Sequence, residues 1–469
     1  MSASNAPPAQ HLGVWDMASL IVGIVVGTAI FRAPPTVFGQ FDSPWLGLSV
    51  WFLGGLLAFC GALCYSELGA AYPDFGAEYV YLGRAYGRRV AFLFAWMQLC
   101  VVLTSSIGAM SFVFVDYLNR IIPLPSWSHA LTAIGAVFAL LCLQIAGLQV
   151  GKFVQNLLTA CKLLALIALL LAGFSQVRHP EAFSSAAQEE PTSFSLALIL
   201  VMFAYAGWND ATAVAPEVRE PQRNLPRALL YGLGFVVLLY MLVNAAYLNV
   251  LGLPAVRSST APAADLIGIV FGSQYAWMMS AMIVVSSLGA IHGTMIAASR
   301  LLNAVGRDYP VFRAWRVWNA RGAPAWALIT VFGISSVLTL LAGTRIGFGL
   351  LQFVARPLGL TGEFDPEQGF DVLVSSASPV FFLFFAMAGF GLIVLRQTDP
   401  DRPRPFRVPG YPFTPLALTA IAGFMCYSGL QYIRLLVLLS APPLIVGVIL
   451  ACLLKPAADA VREAPPEPV

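Results

Sequence analysis

Few side chains in this sequence can do chemistry, and most of those few sit inside long apolar runs. Lys162 lies about nine residues into the run 153–174. A lysine at that depth in a bilayer costs at least about 2.5 kcal/mol and reaches the interface with difficulty, so its ammonium calls for backbone carbonyls or a carboxylate inside the protein. It is either a structural tie or an element that couples a bound ligand to the movement of a neighbouring segment. His292, in Gly289-Ala290-Ile291-His292-Gly293, is the one histidine deep in an apolar run. Its imidazole either bonds two helices together or passes a proton near neutral pH. Asp210 and Asn209 follow a stretch of small residues and are suited to cap a helix that starts there. Glu67, beside Tyr65 and Ser66 at the end of another run, reads as half of a surface ion pair. The cysteines at 60, 64, 100, 142, 161, 426 and 452 all fall in apolar runs, where a thiol behaves as a small buried hydrophobe. Neither a disulfide nor a metal site is expected of them, no cofactor is implied, and no HExxH, paired-histidine or Cys/His set supplies an enzyme's constellation.

Two interruptions carry more information than any of these side chains. The first apolar run reads Ile21-Val22-Gly23-Ile24-Val25-Val26-Gly27-Thr28-Ala29-Ile30-Phe31, with Pro34 and Pro35 close behind. Two glycines around β-branched residues weaken a helix there. The sixth run reads Phe203-Ala204-Tyr205-Ala206-Gly207-Trp208-Asn209-Asp210, again with small residues at mid-depth. An unwound turn in hydrocarbon survives only where its bared backbone groups line a cavity or meet a partner. Runs one and six hold the same position in two successive sets of five, the arrangement expected of inverted repeats with a site at the midplane. A half-helix N-terminus offers N–H groups and positive dipole to an anion, and bared carbonyls accept from a cation. A zwitterion satisfies both. The competing reading is that these glycines only let helices pack closely.

The elements that must hold such a site follow from composition. The chain has 469 residues, 59% of them apolar and 10% charged, against roughly 25% charged in a soluble domain. That balance excludes a soluble enzyme, a secreted disulfide scaffold and a disordered chain. A net charge of +3 over this length makes no basic stripe for nucleic acid. Because the first cationic residue is Arg32, the first run is expected to stay as a permanent helix and not a cleaved leader.

A window of about 19 residues finds apolar runs near 14–37, 46–70, 91–117, 129–147, 153–174, 194–215, 227–252, 275–299, 323–342, 376–395, 412–433 and 436–455. Twelve crossings place both termini on one side. Lys and Arg divide 18 on that side against 7 opposite, with Lys162 in a span as the last of the 26, so both termini are expected in the cytoplasm. The expected division is a cytoplasmic tail 1–13, a first five-helix repeat 14–174, a second, inverted repeat 194–395, two further helices in 412–455, and a disordered cytoplasmic tail 456–469. Segments 72–90 and 301–321 read as interfacial amphipathic stretches. Segment 343–375 reads as an external loop, made acidic by Glu363, Asp365, Glu367 and Asp371.

Gly27-Thr28-Ala29-Ile30-Phe31, Phe203-Ala204-Tyr205-Ala206-Gly207-Trp208-Asn209 and the stretch Glu217-Val218-Arg219-Glu220-Pro221-Gln222-Arg223-Asn224-Leu225-Pro226-Arg227 resemble the amino acid–polyamine–organocation superfamily. Within it the chain is most similar to bacterial relatives of the L-type amino acid transporter light subunits. Tyr65-Ser66-Glu67-Leu68-Gly69 and Pro409-Gly410-Tyr411-Pro412 support the resemblance, which runs from about residue 12 to about 455. It implies an all-α integral membrane protein with twelve transmembrane helices in a LeuT-like 5+5 inverted repeat plus two C-terminal helices. It further implies a midplane site in which N–H groups at Thr28 and Ala29, beside Gly27, hold a substrate carboxylate. Carbonyls of Val25, Phe203 and Ala206, beside Gly207, would take the ammonium. Phe203 would close over the substrate as a gate with Trp208 packed behind it. Lys162 matches the family's span-five lysine, which stands where sodium-coupled relatives hold their ion, and so argues against sodium coupling.

Ala29 and Ala206 depart from the glycines common in the family, and each adds a methyl where backbone approaches substrate. A small neutral side chain is the substrate this favours. The loop 119–128 holds no cysteine, so no disulfide-linked heavy subunit is expected as a partner. The expected function is exchange of small neutral amino acids across the inner membrane by alternating access. Proton-coupled symport, a cationic amino acid or polyamine antiporter, and a membrane sensor that binds without transport are the alternatives.

Overall fold

The computed structural model describes residues 12–73, 77–146, 148–175, 183–184, 193–209, 212, 218–360, 368–432 and 434–456. Within them the chain is helical: α1 Val14–Val25, α2 Ala33–Phe38, α3 Pro44–Ala71, α4 Glu78–Tyr86, α5 Arg88–Met97, α6 Leu103–Asn119, α7 His129–Ala146, α8 Leu148–Ser175, α9 Phe194–Tyr205, α10 Pro221–Ser258, α11 Pro262–Phe271, α12 Ala276–Asp308, α13 Ala325–Gly343, α14 Arg345–Ala355, α15 Gly369–Thr398, α16 Phe413–Tyr432 and α17 Val437–Leu453. No strand forms among the described residues. A single parallel bridge joins Leu12 to Val218. Proline begins α3, α10 and α11, where its missing N–H would have had no intrahelical acceptor.

Among the described residues eight helices are long and apolar enough to cross a membrane. Val14–Val25 and Phe194–Tyr205 fall short of that length because each stops at one of the two interruptions. Large apolar side chains face outward on the apolar helices, including the shorter ones. On α8, Leu163, Leu164, Ile167, Leu171 and Phe174 are all exposed, a stripe that only an apolar solvent would cover without penalty.

The chain forms two compact units. One comprises Met1–Ala91, Ala168–Ser273 and Phe381–Ser428, the other Phe92–Ile167, Gln274–Val380 and Gly429–Val469. Each draws on both of the stretches 14–174 and 194–395. In the first unit α3 packs along α10 and α9, and α1 lies along α10. Two aromatic clusters fill it, Trp51–Tyr205–Tyr240 and Tyr65–Trp208–Phe385. In the second unit α6 packs on α12 and α13, and Gln144 of α7 donates to the His292 carbonyl of α12 at 3.0 Å.

Two sequence expectations are corrected. Segment 343–375 is not simply a loop: it contains α14, started by Thr344, whose hydroxyl accepts from Gly347 N–H. Ile346, Leu350, Phe353 and Val354 of α14 are exposed, and the short, one-faced apolar pattern escaped a window set for full crossings. Glu363, Asp365 and Glu367 lie outside the described residues, and Asp371 sits in the first turn of α15. The segment after the run 227–252, on which no expectation was placed, is also helical: α10 kinks at Gly252 and continues to Ser258, and α11 follows. Glu67 is no surface group. Its side chain is 2% exposed against 19% for that of Arg396.

Candidate site at two broken helices

The first interruption falls at Val26–Thr28. Val26 leaves the helix at φ −68°, ψ 79°, the geometry of an inverse γ-turn, and Gly27 N–H accordingly reaches back to the Val25 carbonyl at 2.6 Å. The chain then makes one tight turn, Ala29–Phe31, before α2. The leading N–H groups of that turn have no intrahelical acceptor. Val25, Thr28 and Ala29 are buried and Gly27 is half-buried. The Thr28 hydroxyl is buried with no partner among the described residues.

The second interruption falls at Ala206–Asn209. Ser193 caps the start of α9, and the helix ends where Ala206 turns extended (φ −63°, ψ 159°). Gly207 follows at φ +107°, a conformation open to glycine and strained for any side chain. A Cβ there would come to 2.8 Å from the Ile24 side chain, so the interrupted segment after α9 lies directly against the end of α1. Phe203, Ala206 and Gly207 are half-buried, and the Phe203 carbonyl accepts from Ala206 N–H at 3.1 Å. Trp208 is fully buried, edge-on to Tyr65 at 5.1 Å and to Phe385 at 5.6 Å.

Tyr240, halfway along the run 227–252, joins the two ends. Its hydroxyl lies 2.9 Å from the Val25 carbonyl and 3.2 Å from the Ala204 carbonyl. Both carbonyls would accept from an N–H four residues on if their helices continued. The Val25 oxygen, with Gly27 N–H and the Tyr240 hydroxyl on it, has both lone pairs engaged. An ammonium reaches it by displacing one of them.

The structure thus brings together, in one unit, Val25, Gly27 and Ala206–Trp208 of the sequence-derived set. Lys162 is buried in the second unit. Asp210 lies outside the described residues. The Asn209 side-chain oxygen accepts from Gly207 N–H at 3.3 Å, and the segment it was expected to cap, 213–217, lies outside the described residues. Tyr240, Trp51 and Glu78 were missed in the sequence. A phenol at mid-depth in an apolar run needs a polar partner, and that signal was available for Tyr240.

The fold is that of a helical membrane transporter. Over 96% of its length the chain superposes on 96% of a solved transporter structure, Mhp1 of the nucleobase-cation-symport-1 family in a closed conformation with bromovinylhydantoin bound, with a TM-score of 0.54 and 15% identity. The sequence places it more narrowly. The profile of the amino acid permease family matches residues 12–451, and the chain belongs to that family. Similar curated proteins include the mouse (Mus musculus) b(0,+)-type amino acid transporter 1, 28% identical over 89% of this chain and 82% of its own length. The mouse Asc-type amino acid transporter 1 is 27% identical over 85% of this chain and 73% of its own length. The mouse large neutral amino acids transporter small subunit 2 is 28% identical over 85% and 72%. These relatives are transporters, not enzymes.

Proposed function

We propose that this permease exchanges small neutral amino acids across the inner membrane by alternating access at the two interruptions. The observation that carries the reading is the meeting of two bared helix ends at the Tyr240 hydroxyl, which gathers main-chain donors and acceptors at one buried place. N–H groups at Thr28 and Ala29 take the substrate carboxylate. Carbonyls of Val25, Phe203 and Ala206 take the ammonium, and Phe203, with Trp208 fixed behind it, closes the site. The methyls of Ala29 and Ala206 favour a small side chain, and Lys162 supplies the fixed cation that replaces a sodium ion. Twelve crossings, with five-helix repeats followed by two helices and both termini cytoplasmic, fit the apolar runs and the bias of Lys and Arg. No disulfide-linked subunit is called for, because 119–128 lacks cysteine.

The test is uptake of labelled L-alanine into proteoliposomes with and without unlabelled L-alanine inside. Exchange requires uptake that depends on internal substrate. Uptake indifferent to it, and driven by a pH gradient, would replace exchange with proton symport, and saturable binding without any flux would make the protein a sensor. Lys162→Ala with unchanged flux would remove the role given to that lysine.

A further inference from the structure

Glu78 opens α4 and is only 5% exposed, a carboxylate buried on a segment that stands outside the interrupted spans. Its two oxygens have distinct partners. The Tyr65 hydroxyl of α3 donates to one, and the side-chain amide of Asn209 donates to the other at 3.5 Å. Asn209 is itself buried. Its amide oxygen accepts from Gly207 N–H at 3.3 Å, and its main-chain carbonyl accepts from Thr212 N–H at 3.0 Å.

An asparagine amide has one accepting end and one donating end, and which end points where is set by its partners. The Glu78 carboxylate accepts only, so it directs the NH2 of Asn209 toward itself and leaves the amide oxygen to face Gly207. Without Glu78 that bias is lost, and the flipped amide would present NH2 to the Gly207 N–H, two donors face to face. Both contacts are long, at 3.3 and 3.5 Å, and the one to Glu78 is sheltered from water. Trp208, wedged between Tyr65 and Phe385, fixes the neighbouring residue so that Asn209 has little room to find another arrangement.

We infer that Glu78 is a positioning residue for the substrate site: by orienting Asn209 it fixes the Gly207 peptide in the unwound segment of span six. This rests on the amino acid site proposed above. Glu78 touches no substrate in this scheme; it acts through Asn209.

A double-mutant cycle on the full-length protein in proteoliposomes tests this, with labelled L-alanine as the probe. Glu78→Ala and Asn209→Ala are each expected to raise KM about tenfold, the factor equivalent to about 1.4 kcal/mol, with maximal rate changed less than about twofold. The double variant is expected to be no worse than either single one, the non-additivity of residues acting in series. Glu78→Gln, which keeps one accepting oxygen, should fall between wild type and Glu78→Ala. If Glu78→Ala does not yield folded protein, Glu78→Gln replaces it in the cycle. Additive effects, or an unchanged KM in a Glu78 variant, overturn the inference while leaving the transporter intact. A wild type that neither binds nor carries L-alanine overturns the site reading itself, and this inference with it.

Discussion

The Tyr240 hydroxyl stands 2.9 Å from the carbonyl oxygen of Val25, the last residue of α1, and the same hydroxyl reaches the Ala204 carbonyl near the end of α9. One proton cannot serve two acceptors fully, so it is shared between the two helix ends and ties them. Tyr240→Phe keeps the ring against Trp51 and Tyr205 but leaves two buried carbonyls short of a donor. The expected loss is about 1–2 kcal/mol of stability, read as a lower thermal midpoint in nanodiscs, with KM for L-alanine raised up to about tenfold. An unchanged midpoint and KM would show that the two ends hold their places without the tie.

Glu67 and Arg396 form a short, largely buried ion pair. The carboxylate accepts from Arg396 at 2.8 and 2.6 Å and from Val408 N–H at 2.6 Å, with Arg404 at 3.8 Å. This joins the end of α3 to the end of α15 and to the segment before α16. Breaking a buried pair by removing one partner costs about 3–5 kcal/mol, and the water reaching Arg396 places Glu67→Ala near the lower end. The double variant Glu67→Ala with Arg396→Ala should lose less than the sum of the singles. Denaturation of the four proteins in detergent measures the difference, and strict additivity would mean that the pair contributes nothing as a pair.

Tyr72, just past the end of α3, provides a pH dependence. Its hydroxyl donates to Asp399 at 2.9 Å, and burial together with that hydrogen bond pushes its pKa up to about 12, with Arg404 and Arg402 offsetting only part. The folded state therefore favours the neutral phenol, whereas the unfolded chain ionises near 10. The stabilisation is fully present below pH 10 and is lost as pH rises toward 12. The gap in thermal midpoint between wild type and Tyr72→Phe should hold steady to about pH 10 and then narrow. A gap that narrows between pH 7 and 9 would trace to another group.

The interruptions were legible because glycine and β-branched residues weaken a helix locally, and their positions in the order of runs needed no tertiary information. Lys162 and His292 were correctly expected to be buried, since hydropathy alone places them in runs. What pairs with what was not legible. Glu67 meets Arg396 across 329 positions, and Asn209 meets Glu78 across 131, separations at which sequence gives no geometry. The helices α11 and α14 were missed because a window tuned to bilayer thickness averages a short amphipathic helix into the loop around it.

Gly207 gives the sharpest separation of backbone from side-chain effects. Its φ of +107° is strained for alanine by about 1–2 kcal/mol, and an added Cβ would also press to within 2.8 Å of the Ile24 Cγ2. The two penalties have different remedies. Ile24→Ala opens the space and does nothing for φ. Gly207→Ala is therefore expected to abolish L-alanine exchange, and Gly207→Ala with Ile24→Ala to recover no more than a minor part of it, while Ile24→Ala alone stays near wild type. Full recovery in the double variant would make side-chain crowding the whole effect and would mean that the unwound segment tolerates a Cβ. Failure to recover, in protein that remains folded by size-exclusion chromatography, assigns the requirement to the left-handed backbone, which is where the chain must leave α9 for the main chain to face the end of α1.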